Sequence, residues 1–266
     1  NNNKFKNMWD LTPKISADGP HFLQKEGLLN NISDKVKNHI DNKQTPLYKL
    51  NYKYDVKKYN NNSNLAYLLN SINLQFIHIP KTGGSSIEDA AYENNIKWGR
   101  KDKSLKKKYK NVNDWHTPQK VEGYSFCVIR NPYDRFISEF YHRNKKNITN
   151  LCPADLNRFI ETIFPIIRKN INYKDNHFLQ QYKFYKFCDI AISFDNLQDN
   201  INKLTDMFNL PTLKLGKKRV SGESIKDFKK MTKDDINDEN KKLIDDFYRK
   251  DFELYDKVKE VDILIK

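Results

Sequence analysis

From position 74 onward the apolar residues stop being scattered and fall into two rhythms. Leu74–Ile79 is a short apolar run ending at Pro80, which suits a strand buried in a parallel sheet, and Ile87, Ala90 and Ala91 then recur at helical spacing. Together they predict a strand, a loop and a helix. Phe126–Ile129 reads as a second strand, and Asn131-Pro132 behind it supplies an N-cap and a proline at the first helical position. Tyr133, Phe136, Ile137, Phe140 and Tyr141 follow at i, i+3, i+4, i+7 and i+8, one stripe of a buried helix face. A third strand is predicted over Ile190–Phe194, with Asp195 or Asn196 capping a helix through Leu197, Ile201 and Leu204. Further helices are predicted over Asp155–Ile167, around Phe178–Tyr185 and over Asp235–Arg249. Strands alternating with helices imply an α/β fold, a short parallel sheet flanked by helices.

Residues 1 to 70 lack these rhythms. They are polar and dotted with tyrosine, with turn signals at Asp18-Gly19-Pro20 and Asn60–Asn64 and one short helix capped by Ser33, with Val36 and Ile40 inward. The organisation read from this contrast is an irregular N-terminal extension over 1–70 and one domain over 71–266, which suits a chain of 266 residues. Aromatic residues at 13% supply the large buried areas that a 38% apolar share would otherwise lack, so the chain should fold.

Charge narrows the partners. A formal +14 predicts attraction to polyanions, whether nucleic acid, anionic membrane, nucleotide cofactors or acidic glycans, and does not choose among them. Two basic stretches stand out, Lys97–Lys110 and Leu213–Gly222, both read as loops or helix ends. Lysines and tyrosines interleave over Lys49–Asn60, but no RNA- or DNA-binding motif accompanies them. Cys127, Cys152 and Cys188 have no CxxC spacing, which argues against a disulfide framework or a zinc site. No window reaches the about 18 apolar residues of a membrane span. The sequence begins at Asn, so the expected location is a Golgi or secretory lumen if an upstream anchor was removed, and the cytoplasm otherwise. The sequons at Asn31, Asn61 and Asn147 matter only in the first case.

The chemistry concentrates in "HIPKTGGSSI", His78–Ile87. A glycine-containing turn between a buried strand and a helix aims several backbone N–H groups at one point, and the helix N-terminus adds partial positive charge there. Gly83 and Gly84 allow close backbone approach, Ser85 and Ser86 add hydroxyl donors, and Lys81 adds a full charge. The lysine precedes the glycines, so GxxxxGK[ST] is absent and an ordinary kinase or ATPase is disfavoured.

This segment resembles the 5′-phosphosulfate-binding loop of sulfotransferases that use 3′-phosphoadenosine 5′-phosphosulfate (PAPS), above all the carbohydrate O-sulfotransferases whose loop reads PKTGG[ST][ST]. "VIRNPYDRFISEFY", Val128–Tyr141, resembles their 3′-phosphate-binding segment, with Arg130 at the strand end and Ser138 eight residues on. "HFLQQYKFYKFCDIAISFDNL" and "RKDFELYDK" are similar to later parts of the family, so the resemblance covers about Leu74 to Lys257. It implies a P-loop-like core and donor contacts from Lys81, Thr82, Gly83, Gly84, Ser85, Ser86, Arg130 and Ser138. The basic loop with Lys218 and Arg219 would close over the 3′-phosphate.

The same resemblance implies transfer of a sulfuryl group from PAPS to a carbohydrate hydroxyl by in-line displacement, leaving PAP and requiring no metal. Lys81 meets charge on the leaving phosphate. Of six histidines, His116 in "NDWHTPQK" stands where similar carbohydrate sulfotransferases carry their base; His78 reads as structural, His142 falls near a helix end, and His177 lies on the acceptor side. Lys97–Lys110, just before His116, suits an acidic or sulfated glycan acceptor. The alternatives are a protein-tyrosine acceptor, or a non-catalytic polyanion- or nucleotide-binding module.

Overall fold

The second strand is the axis of the molecule. In the computed structural model, which describes residues 74–216 and 230–266, four strands form one sheet in the order β1 (Leu74–Phe76), β2 (Tyr124–Ile129), β3 (Ile190–Ser193) and β4 (Ile263–Ile265). β1 and β2 pair in parallel with Leu74 opposite Tyr124, and β2 and β3 in parallel with Phe126 opposite Ile190. Ser193 N donates to Asp262 O and Lys266 N to Asp189 O, so β4 returns antiparallel to β3. Every residue of β2 and β3 is buried, as strands covered on both faces require. The extension read over 1–70, its helix at Ser33, and loop residues Lys218 and Arg219 lie outside the described residues. Leu74–Ile201, Leu213–Leu264 and Lys266 belong to one unit, and Asn202–Thr212 groups separately.

Seven α-helices occur among the described residues: α1 (Gly84–Glu93), α2 (Pro132–Arg143), α3 (Pro153–Lys169), α4 (Gln181–Tyr185), α5 (Leu197–Met207), α6 (Asp238–Phe247) and α7 (Arg249–Val261). α2 begins as its sequence dictates. The Asn131 side chain accepts from Tyr133 N at 2.9 Å and Asp134 N at 3.5 Å, and Pro132 occupies the first turn, where its missing N–H costs nothing. The α2 stripe of Tyr133, Phe136, Ile137, Phe140 and Tyr141 packs with Leu156, Ile160 and Phe164 of α3, with Phe178 and with Tyr248. A second core joins Ile77, Ile79, Cys127 and Ile129 of the sheet region to Leu254, Tyr255 and Val258 of α7. Cys127, Cys152 and Cys188 are free thiols. No helix among the described residues is long and apolar enough to cross a membrane.

Two predicted helices differ from what forms. The segment around Phe178–Tyr185 is helical only over Gln181–Tyr185, because a turn with left-handed residues at Lys174, Asp175 and Asn176 precedes it. The helix read over Asp235–Arg249 is instead one 3-10 turn, Lys233–Asp235, followed by α6 and α7. Asn237 restarts the chain as a cap, its side chain accepting from Asn240 N at 2.8 Å. In α7, Asp251, Leu254, Tyr255 and Val258 are buried at i, i+3, i+4 and i+7, a stripe partly masked in the sequence by an acidic residue. That residue has work to do: the Asp251 carboxylate accepts from Gln181 N at 2.8 Å and Tyr182 N at 2.9 Å and so starts α4.

Asn131→Ala removes both cap bonds of α2 and should lower stability by about 1 kcal/mol, read as a shift in the urea unfolding midpoint with an unchanged slope.

Candidate active site

The chain leaves β1 extended, with Ile77 N donating to Phe126 O at 2.8 Å, and then turns sharply. Lys81 has φ 70° and Gly83 φ 85°, both left-handed, and α1 opens at Gly84 with no side-chain cap and no acidic residue in its first turn. The first N–H groups of α1 therefore carry the helix's positive end with no carboxylate beside them, a cradle suited to an anion. A Cβ on Gly83 would come 2.8 Å from Leu197 Cδ2, and one on Gly84 would overlap the His78 ring. Gly84 is thus explained at least as much by the packing of His78 as by approach to a ligand. Thr82 is buried, and its hydroxyl donates to Ile79 O at 2.9 Å, so it has its backbone rather than its side chain to offer. Ser85 and Ser86 are half-buried on the first turn of α1.

Arg130 emerges directly from β2. Its Nη1 donates to Lys81 O at 3.0 Å, its guanidinium lies 4.3 Å from the centre of the Phe194 ring, and its Nε is buried with no hydrogen-bond partner among the described residues. The Gln181 amide brackets its backbone, with Oε1 accepting from Arg130 N at 3.0 Å and Nε2 donating to Arg130 O at 2.8 Å. Burial lowers its pKa, yet guanidinium stays charged. A half-buried cation with an unused donor beside an uncapped helix start fits a phosphate-bearing ligand. Ser138 is half-buried on α2, one turn beyond Asp134, whose charge acts on Arg130.

Sequence reasoning did not single out Arg135. It is buried on α2, with Nε donating to Pro80 O at 2.9 Å and Nη2 to His177 O at 2.9 Å. One guanidinium therefore ties the loop to the segment around His177. In the helical period it falls on the face opposite the Tyr133 stripe, where a charge is ordinary, so no sequence pattern signals it.

The histidines converge. His78 and His116 meet edge to face at 4.8 Å, His116 and His177 at 5.2 Å, and His142 stacks on His177 at 5.5 Å. Three of the four hold a carboxylate through Nδ1: His78 with Glu88 at 2.6 Å, His116 with Asp175 at 2.7 Å and His177 with Glu139 at 2.7 Å. His116 rides on a 3-10 turn, Asp114–His116, gripped from both sides. Asp175 also accepts from Asn113 N and Asn113 Nδ2, and Asn176 Nδ2 donates to His116 O at 2.9 Å. Three consecutive non-glycine residues in the left-handed region are costly, and such strain gathers at functional sites.

Burial pushes His116 down to about 4; the Asp175 hydrogen bond works the other way, while the neighbouring His78 and His177 reinforce the fall. At neutral pH the ring is uncharged. A carboxylate only accepts, so Nδ1 carries the proton and Nε2 the lone pair, which is the form of a general base. Burial would raise Glu139, but the His177 hydrogen bond and the charges of His177, Arg143 and Lys81 outweigh it and hold its carboxyl below the ordinary range. Burial, with the Lys81 charge next in weight, also keeps His142 at about 4, so Lys81 acts on this cluster. Of the basic stretch before His116, Arg100 is committed to Glu88 and Asp89 at 2.7 Å each, whereas Lys103, Lys106, Lys107, Lys108 and Lys110 are exposed.

A mostly parallel α/β sheet with an uncapped glycine turn after its first strand, and a strand-end arginine reaching that turn, has a geometry that suits a phosphate-type anion at the carboxyl ends of its strands. The sequence profile described as the Sulfotransferase family matches residues 69–257. The chain belongs to that family, and so to enzymes that transfer a sulfuryl group. No curated protein and no solved structure matches it.

His116 and Asp251 titrate in opposite senses. Unfolded His116 takes up its proton near pH 6.5 and folded His116 only near 4, so acidification across that window removes about 3 kcal/mol of stability. Burial raises Asp251 to about 6 from 3.8, so over nearly the same window the folded state gains protons first and recovers about as much. Asp251→Asn should therefore steepen the loss of stability between pH 6.5 and 4, measured by urea unfolding, while NMR titration of the wild type should show His116 still neutral at pH 5.

Proposed function

We propose that the chain transfers the sulfuryl group of PAPS to a carbohydrate hydroxyl by in-line displacement. The observation that carries the reading is that the loop and the strand end meet: Arg130 Nη1 bonds Lys81 O at 3.0 Å, which brings together the two segments read as phosphate sites. Bound there, PAPS supplies an activated sulfuryl group joined to a phosphate oxygen. The loop N–H groups, Ser85 and Ser86 hold the 5′ end. Arg130 and Ser138, joined by Lys218 and Arg219, hold the 3′-phosphate, the Arg130 guanidinium offering its unused Nε.

His116 Nε2 takes the acceptor proton as the acceptor oxygen–sulfur bond forms. The pair of electrons from the breaking sulfur–oxygen bond passes to the phosphate oxygen beside Lys81, whose ammonium meets the new charge. Asp175 fixes the His116 tautomer throughout. No step needs a metal. A carbohydrate is favoured over a tyrosine acceptor by the PKTGGSS loop and by a neutral histidine in the base position. The exposed lysines from Lys103 to Lys110 favour an acidic or sulfated glycan. A non-catalytic binding module would have no use for a tautomer-locked imidazole.

With labelled PAPS and a panel of glycans and tyrosine peptides, the wild type should label a glycan. Lys81→Ala should abolish turnover and His116→Ala should lower kcat by about 10²–10⁴-fold, both with unchanged circular dichroism. Labelling of peptides alone, or calorimetric binding of PAP with no labelled product, would redirect the reading to the tyrosine or binding-module alternative.

A further inference from the structure

One histidine–carboxylate pair is left over once His116 and Asp175 have been given their task. Glu139 is 1% exposed, with Oε1 accepting from Arg143 Nε at 2.5 Å and Oε2 from His177 Nδ1 at 2.7 Å, whereas 13% of the His177 side chain stays accessible. The carboxylate turns the ring so that Nδ1 points into the protein and Nε2 is the nitrogen left for a ligand. The His177 backbone is fixed as well, through the Arg135 bond that also holds Pro80 O.

The order of the groups matters. His177 has His116 as one neighbour, ring centres 5.2 Å apart, and Glu139 and His142, the groups on which the Lys81 charge acts, as others. In the proposed transfer the acceptor hydroxyl meets His116 and the departing phosphate oxygen meets Lys81. An in-line reaction puts sulfur between those two oxygens, with its other oxygens pointing sideways. A ring flanked by the base and by the groups the lysine acts on faces those sideways oxygens. We propose that His177, oriented by Glu139, is a second catalytic imidazole whose Nε2 holds the sulfuryl oxygens in transit, Glu139 being its positioning residue. This rests on the PAPS reading above. The hydroxyl proton and the leaving electron pair go where that reading sends them.

Metal ligation is the competing use of these groups. Glu139, His142 and His177, and likewise His116, Asp175 and His177, have ligand atoms within 4.8 Å of one another. Three observations tell against it. The carboxylate oxygens of Glu139 are already filled by Arg143 and His177, and the Lys81 ammonium faces the same group. The His142 and His177 planes lie 19° apart, so their in-plane lone pairs run side by side instead of converging.

Asparagine and glutamine separate the roles of the two ring nitrogens. His177→Asn keeps an amide donor near the Nδ1 position, for Glu139, and loses Nε2; His177→Gln does the reverse. The expected result is a kcat order of wild type, then His177→Gln, then His177→Asn, the last reduced about 10²-fold or more with KM values changed less than about threefold. Without acceptor, calorimetry should show PAP binding equal in His177→Asn and wild type, and PAPS binding weakened about tenfold. A purely structural ion pair predicts the reversed kcat order, and that order, or equal losses for PAP and PAPS, overturns the proposal. So does activity lost in EDTA and restored by zinc. A wild type that binds neither PAP nor PAPS overturns the donor reading itself, and this one with it.

Discussion

Two guanidinium groups, one buried and one half-buried, hold two successive carbonyls. Arg135 Nε bonds Pro80 O and Arg130 Nη1 bonds Lys81 O, so a turn whose lysine sits in the left-handed region is pinned to the end of the central strand and the start of α2. In the same trans peptide planes the N–H groups of Lys81 and Thr82 are aimed the other way. Arg135 extends the same restraint to His177 O, and Gln181, placed by Asp251, fixes the backbone of Arg130. Loop, strand end and histidine segment thus share one set of charged hydrogen bonds.

Charge at the site is arranged rather than merely accumulated. The chain as a whole is strongly basic, but within the cluster the Lys81 ammonium and the Arg143 guanidinium act on the buried Glu139 carboxylate, and His116, held by Asp175, is neutral. Neutrality there comes from burial opposing a carboxylate that would otherwise favour the cation. In the transfer proposed above, the site accepts one proton while surrounding a sulfonated, phosphorylated donor with positive groups, which needs both conditions side by side.

Much of this was legible early. Asn131-Pro132 and the stripe behind it specified α2 because a cap and a period are local properties. The apolar runs gave β1, β2 and β3 because parallel strands covered on both faces need no polar alternation. Lys81, His116 and Arg130 stood out through motif and spacing. Glu139, Asp175 and Arg135 did not, because each draws its meaning from a partner distant in sequence: Asp175 from His116, Arg135 from Pro80, Glu139 from His177. Glu139 and Arg135 fall off the apolar stripe of α2, where charges are ordinary. The Lys-Asp-Asn turn left a trace, in residues that tolerate left-handed backbone.

The chain by itself therefore determined the three parallel strands with the helices that follow them, the glycine turn and the sulfotransferase resemblance, since periodicity, capping and loop chemistry are written within a few consecutive residues. Only the tertiary structure decided which histidine would be neutral, which nitrogen each ring would present and which carboxylate would hold it. Those properties depend on burial and on hydrogen bonds between residues 38 to 59 positions apart, and no local pattern encodes them.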